Sequence, residues 1–112
     1  MRQGELYWLN FPGVGSEPRY RRPALVVQQD AFNRSAIATT VVAALTSNLR
    51  LAEMPGNVRL KKGEGGLEHA SVVNASQIYT VDRGRLSEPI GTLSPTRMAE
   101  VLRGVSLVLG LS

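Results

Sequence analysis

Short apolar runs alternate with polar and turn-forming residues along most of the chain, at spacings that suit strands. Leu6, Tyr7, Trp8, Leu9 and Phe11 crowd residues 4–11, a stretch rich in strand formers. Residues 12–20 contain two glycines and two prolines, and read as a loop long enough to bind or cover a ligand. Residues 23–28 are almost wholly apolar, which predicts a strand buried on both faces. Pro23 has no backbone donor and is expected at that strand's first position, so Arg22 stands at its mouth. Residues 29–35 read as a turn and residues 39–46 as a β-branched, apolar strand. That strand ends in Thr46, Ser47 and Asn48, three small polar side chains in a row.

The second half is more broken. Pro55 and Gly56 mark a loop over 49–56, and residues 57–61 alternate as a half-exposed strand. Residues 62–67 form a mobile glycine loop. It lacks the lysine–serine/threonine ending of a P-loop. Residues 71–74 and 76–81 are two β segments, or one strand bent at Ala75, and Pro89 and Gly91 then break the pattern. Ser94 is set to cap a helix with Pro95 in its first position. Arg97 occupies the position where a capping box needs Glu. Met98, Val101, Leu102, Val105 and Leu109 make one apolar face, a core or subunit-interface stripe, and Gly110 ends the helix. Five or more short strands and one terminal helix predict a small, strongly curved antiparallel β-barrel spanning residues 1–112 as one domain.

Composition narrows the class. There are no cysteines among 112 residues, which excludes disulfides and thiolate metal sites and fits a reducing compartment. No apolar run approaches a membrane span, and the first residues lack a signal-peptide core, so a cytoplasmic protein is expected. The net charge of +4 is uneven. Residues 1–62 carry nine Lys/Arg against four Asp/Glu, and residues 63–112 four against five. A basic half suits a polyanion or an acidic protein segment.

The candidate chemistry lies in that half. About ten residues join the strands at 23–28 and 39–46, so antiparallel pairing is the simplest arrangement. Pairing Gln28 with Thr40 sets Arg22 opposite Thr46, a guanidinium beside a hydroxyl at one sheet end. Arg19, Tyr20 and Arg21 add phosphate donors and a stacking surface, and Asn48 and Arg50 follow Thr46. The competing role for Arg22 is a structural ion pair with Glu5 or Glu17. His69, the only histidine, follows the glycine loop.

These residues resemble a known family. Gly4-Glu5-Leu6-Tyr7-Trp8-Leu9, Gly15-Ser16-Glu17, Arg22 to Gln28, Leu45-Thr46-Ser47, Ser76 to Asp82 and Arg85-Leu86 follow the order and spacing of MazF/PemK-type toxins. The resemblance covers nearly the whole chain. It implies an SH3-like barrel forming a homodimer, the toxin of a type II toxin–antitoxin pair. It implies a sequence-specific endoribonuclease, needing no metal or other cofactor, that cuts single-stranded RNA to 2′,3′-cyclic phosphate and 5′-hydroxyl ends. The family's catalytic arginine and threonine fall on Arg22 and Thr46. Ser16, Glu17, Ser47 and Gln77 fall where its members line the RNA groove. His69 matches no catalytic position, and Ala70 stands where members often carry an acid. The expected partners are RNA and an antitoxin with an acidic, disordered tail. The alternatives are a non-catalytic RNA- or protein-binding barrel and a gyrase-poisoning toxin of the same fold, whose C-terminal end is bulkier than Leu109-Gly110-Leu111-Ser112.

Overall fold

A computed structural model of the chain describes residues 1–11 and 20–111, apart from the side chain of Tyr20. Six strands form one antiparallel sheet: β1 (Glu5–Phe11), β2 (Tyr20–Val26), β3 (Thr39–Thr46), β4 (Val58–Leu60), β5 (Ser71–Asp82) and β6 (Glu88–Thr92). Their order across the sheet is β4-β5-β3-β2-β1-β6. The sheet curls into a half-barrel, and a C-terminal helix, α2 (Pro95–Leu109), follows it.

The expected register between β2 and β3 is found, over a shorter ladder. Ala24 pairs with Ala44, Leu25 with Ala43 and Val26 with Val42. The pairing of Gln28 with Thr40 is absent, because Val27 and Gln28 both donate to the carbonyl of Val41 and the chain turns away there. Strand β2 also starts earlier than expected, since Tyr20, Arg21 and Arg22 pair with Phe11, Asn10 and Leu9 of β1. Pro23 is therefore mid-strand. It is tolerated because β3 joins the ladder only at Ala24, which leaves β2 paired on one side at that point.

Three other expectations change. Residues 29–35 contain a single helical turn, α1 (Asp30–Asn33), with Asn33 buried. The Asn33 side chain donates to the Gln28 carbonyl at 2.9 Å and accepts from Thr40 Oγ1 at 3.0 Å, which satisfies a buried polar group. Residues 49–53 form a 3-10 helix rather than an open loop, capped by Asn48 Oδ1 accepting from the Arg50 amide. Residues 88–92 form β6 despite Pro89 and Gly91, since β6 is an edge strand, where a missing donor is harmless. Residues 71–82 are one strand, and its pairing with β3 shifts between Ala43 and Leu45.

Both sheet faces are apolar. Leu6, Leu25, Ala43, Leu45, Leu60 and Val73 share a core with Met98 and Val101 of α2. Leu9, Phe11, Ala24, Val26, Val42, Ala44 and Val81 form a second cluster on the opposite face. Helix α2 begins as its sequence predicts, with Ser94 Oγ accepting from the Arg97 amide, and ends at Gly110 with φ 74°. Its last turn leaves Leu107, Val108 and Leu109 exposed. The glycine loop packs closely against β6. A Cβ on Gly66 would lie 2.5 Å from the Ile90 carbonyl oxygen, so backbone meets backbone there. Arg97 also holds the loop, with Nε 2.8 Å from Glu64 Oε1.

Candidate active site at the end of the sheet

Residues alternate between faces along a strand, so Arg21 and Arg22 point to opposite sides of the sheet. Arg22 shares its face with Ala24 and Val26, and its guanidinium lies 5.2 Å from the centre of the Phe11 ring. Phe11 in turn packs against Tyr79 at 4.9 Å. This stack gives the planar cation a fixed platform. Thr46 shares that face through Ala44 and lies two residues beyond the paired segment, as Arg22 does. Arg22 pairs there with Leu9 of β1 and Thr46 with Val72 of β5, and both residues line one cleft. Thr46 Oγ1 accepts from the Asn48 amide at 3.1 Å, which anchors its oxygen and leaves the hydroxyl hydrogen to donate elsewhere. Glu5, considered above as an ion-pair partner for Arg22, accepts from Tyr7 Oη at 2.9 Å and from the Arg2 amide at 2.6 Å. Burial first, and then the Glu5 carboxylate, push the Tyr7 phenol up to about 12.

A cleft of about 610 Å³ opens where the strands end, and Arg21, Arg22, Thr46 and Ser47 all line it. Arg21 lies over the Trp8 ring at 4.9 Å, with its terminal nitrogens 3.0 and 2.6 Å from the two oxygens of Glu88. This bidentate bond holds the Glu88 carboxyl below its ordinary range and raises the guanidinium further. Arg21 is thus ion-paired with Glu88 in a solvent-exposed contact, which uses two of the five guanidinium N–H groups. Asn48 and Arg50 belong to the next turn. Asn48 spends its side-chain oxygen on the cap, and the Arg50 side chain is exposed. Gln77 is on β5 and does not line this cleft, and its side-chain oxygen is buried with no hydrogen-bond partner among the described residues. Ser16, Glu17, Arg19 and the Tyr20 side chain lie outside the described residues.

The sequence reading missed Trp8, Glu68, Glu88, Pro89 and Ile90, and it put His69 outside the chemistry. Glu68, His69, Pro89 and Ile90 line the same cleft as Arg22. Trp8 was legible in principle, because the β1–β2 hairpin sets it opposite Pro23. Glu88 was not, since nothing local links it to Arg21 across 67 residues. Among the described residues, no three His, Cys, Asp or Glu side chains gather as a metal site, and no helix is long and apolar enough to cross a membrane.

A curled antiparallel sheet carries an arginine and a threonine at one end, beside a mixed apolar and charged cleft. The family model described as PemK-like, MazF-like toxin of type II toxin–antitoxin system matches residues 2–109. The chain is 43% identical over 110 residues to Endoribonuclease MazF6 of Mycobacterium tuberculosis, covering 97% of this chain and 96% of that one. It also resembles two solved structures. One is MazF from Deinococcus radiodurans, with a TM-score of 0.77, 31% identity and coverage of 98% and 96%. The other is an endoribonuclease in complex with its cognate antitoxin from a mycobacterial species, with a TM-score of 0.80, 25% identity and coverage of 100% and 97%. The chain belongs to the PemK/MazF family of toxins.

Proposed function

We propose that this endoribonuclease toxin cleaves single-stranded RNA at a short sequence without a metal, with Arg22 and Thr46 at the reacting phosphate. The observation that supports the reading is that Arg22 and Thr46, on neighbouring antiparallel strands, both line one cleft in a chain of this family. The RNA supplies the nucleophile. Its 2′-oxygen bonds to the adjacent phosphorus as the bond from phosphorus to the 5′-oxygen breaks. The products are a 2′,3′-cyclic phosphate and a 5′-hydroxyl, and DNA, which lacks the 2′-hydroxyl, is not cut. The 2′-hydroxyl loses a proton and the leaving 5′-oxygen gains one.

The protein's task is alignment and charge stabilisation. Arg22, stacked on Phe11, offers two parallel donors to the phosphate oxygens. The Thr46 hydroxyl adds a neutral donor, with its oxygen already anchored by the Asn48 amide. Arginine holds its proton too tightly to act as the base, so Arg22 serves as the electrostatic element. Ser16, Glu17, Arg19, Tyr20, Arg21, Ser47, Asn48, Arg50 and Gln77 supply further RNA contacts in this reading. The protein acts in the cytoplasm as a homodimer, and the exposed apolar end of α2 offers surface for pairing. Its antitoxin carries an acidic tail that is disordered until bound, a partner in keeping with the antitoxin-bound neighbour.

The test is incubation of the protein with mixed-sequence RNA in EDTA, followed by mapping of the cut ends. Cleavage at a recurrent short sequence, with cyclic-phosphate ends, is expected. Arg22→Ala, folded by circular dichroism, should lose at least about 10²–10³ in rate, as for one lost transition-state donor. Activity that disappears in EDTA and returns with magnesium or manganese overturns the metal-free mechanism. RNA bound but left intact makes the chain a binding barrel.

A further inference from the structure

Cleavage by 2′-oxygen attack needs a proton for the leaving 5′-oxygen, and neither Arg22 nor Thr46 supplies it. Arginine keeps its proton, and a threonine hydroxyl is no acid at neutral pH. Among the described residues, the other titratable side chains lining the cleft are Arg21, Glu68 and His69. Arg21 is again an arginine, with its fork bonded to Glu88. A carboxyl group is ordinarily ionised at neutral pH and has no proton to give. Imidazole is the side chain that ordinarily changes charge between about pH 5 and 8, so it can both deliver a proton and recover it.

The fold places His69 for that work. It stands three residues before Val72, whose partner across the sheet is Thr46, so His69 and Thr46 meet at one end of the sheet. The Ser71 hydroxyl donates to the His69 carbonyl at 3.1 Å, which ties this backbone to the start of β5. The imidazole is exposed, so a spent acid is reloaded from water. The charged groups around the cleft are Glu68 beside it in sequence, Arg21 and Arg22 of β2, and Glu88 of β6, bonded to Arg21. Glu64, further back in the glycine loop, is held by Arg97. Strand β3 and the turn after it bring only neutral side chains to the lining, Leu45, Thr46 and Ser47.

We propose that His69 is a further catalytic residue, the general acid that protonates the leaving 5′-oxygen. The proposal rests on the reading of the chain as an RNA-cleaving toxin. The 2′-oxygen bonds to phosphorus and its proton passes to water. The bond from phosphorus to the 5′-oxygen breaks, its electron pair stays on that oxygen, and the imidazolium proton moves to it. Water then returns one proton to the neutral imidazole, so none is gained or lost over the cycle.

The test uses the full chain and an RNA whose cut site has been mapped in the wild type. The RNA is made in two forms, one ordinary and one with sulfur in place of the bridging 5′-oxygen at that site. A thiolate leaves without being protonated, so the second form needs no acid. On ordinary RNA, His69→Ala should lose about 100-fold in kcat with KM near wild type, within the roughly 10²–10⁴-fold that general acid–base catalysis contributes. On the sulfur-bridged RNA, variant and wild type should cut within a few-fold of each other. Imidazole added to the buffer should restore part of the lost rate on ordinary RNA. Wild-type kcat should fall on the alkaline side as the imidazolium is lost, and that limb should be missing in His69→Ala. His69→Gln keeps a polar side chain without a titrating proton and should match His69→Ala, both folded by circular dichroism. Equal losses on the two RNAs make His69 a binding or structural residue and overturn the proposal while the cleavage reading stands. So does a kcat near wild type in His69→Gln. Wild-type protein that leaves both RNAs intact overturns the cleavage reading, and this proposal with it.

Discussion

At the scale of single residues, Arg22 and Thr46 differ in how they can be replaced. In the proposed mechanism Arg22 works through a fork of donors above the Phe11 ring. Lysine keeps the charge but is a point donor that cannot span two phosphate oxygens. Arg22→Lys should therefore fail almost as fully as Arg22→Ala, and a single-turnover rate near wild type in the lysine variant would remove the forked contact from the mechanism. Thr46 in that mechanism works through one hydroxyl, whose oxygen accepts from the Asn48 amide. Thr46→Ser preserves both the acceptor and the donor, whereas Thr46→Val preserves shape and removes both. Serine should keep cleavage within a few-fold, and valine should lose about 10²–10³ at unchanged RNA affinity. Equal rates for the two variants would mean that the hydroxyl does no chemistry.

Between elements, two glycine contacts set how closely helix and strands approach. An ideal Cβ on Gly104 of α2 would lie 1.9 Å from the carbonyl oxygen of Gly56, and one on Gly91 of β6 would lie 2.2 Å from that of Gly65. The obstacles are backbone atoms, which cannot swing aside as a side-chain tip can. In an exposed helix interior, Gly→Ala is usually favourable by about 1 kcal/mol. Here Gly104→Ala should instead destabilise, by about 1–3 kcal/mol, as α2 is forced off the loop before β4. A urea midpoint at or above wild type would show that the helix shifts at no cost. These contacts also mark where sequence reading stops. The β2–β3 register was legible because both strands are apolar and a one-residue slip would turn buried side chains outward. The cap and start of α2 were legible from Ser94 and Pro95 alone. Strand β6 was not, since Pro89 is tolerated only at an edge, and edge position is a property of the assembled sheet. The packing of the glycine loop was hidden for the same reason, as its partners Leu6, Ile90 and Leu93 are distant in sequence. In the cleft, the placing of Arg22 and Thr46 on two neighbouring strands was legible, while the bond from Arg21 to Glu88 needs β6 in place.

For the whole molecule, charge governs both stability and partners. Asp30 is held below its ordinary value mainly by the Gln3 amide, and Glu64 mainly by its bond to Arg97. Such carboxyls bind protons more weakly folded than unfolded. Their contribution is full above the unfolded values of 3.8 and 4.5 and is lost as pH falls through the lower, folded values. Thermal stability should thus decline below about pH 4.5, and Glu64→Gln should flatten part of that decline; an unchanged profile in that variant would remove Glu64 from the account. The same charge logic extends to the antitoxin. If an acidic tail folds over the cleft that RNA needs, antitoxin and RNA compete. Arg50 and Arg21 then differ in kind. Arg50 is exposed, whereas Arg21 is ion-paired with Glu88, so reversing Arg50 should weaken both ligands through lost attraction. Reversing Arg21 also leaves Glu88 beside a second carboxylate, and should weaken both ligands more than Arg50→Glu does. Association should slow as salt rises, because exposed charges are screened beyond about 10 Å at 0.1 M. A titration of antitoxin into toxin already saturated with RNA carrying a 2′-deoxy nucleotide at the cut site should show its apparent affinity falling in proportion to the RNA present. Affinity indifferent to saturating RNA would place the antitoxin on another face, and inhibition would then have to act through the fold rather than by occupying the cleft.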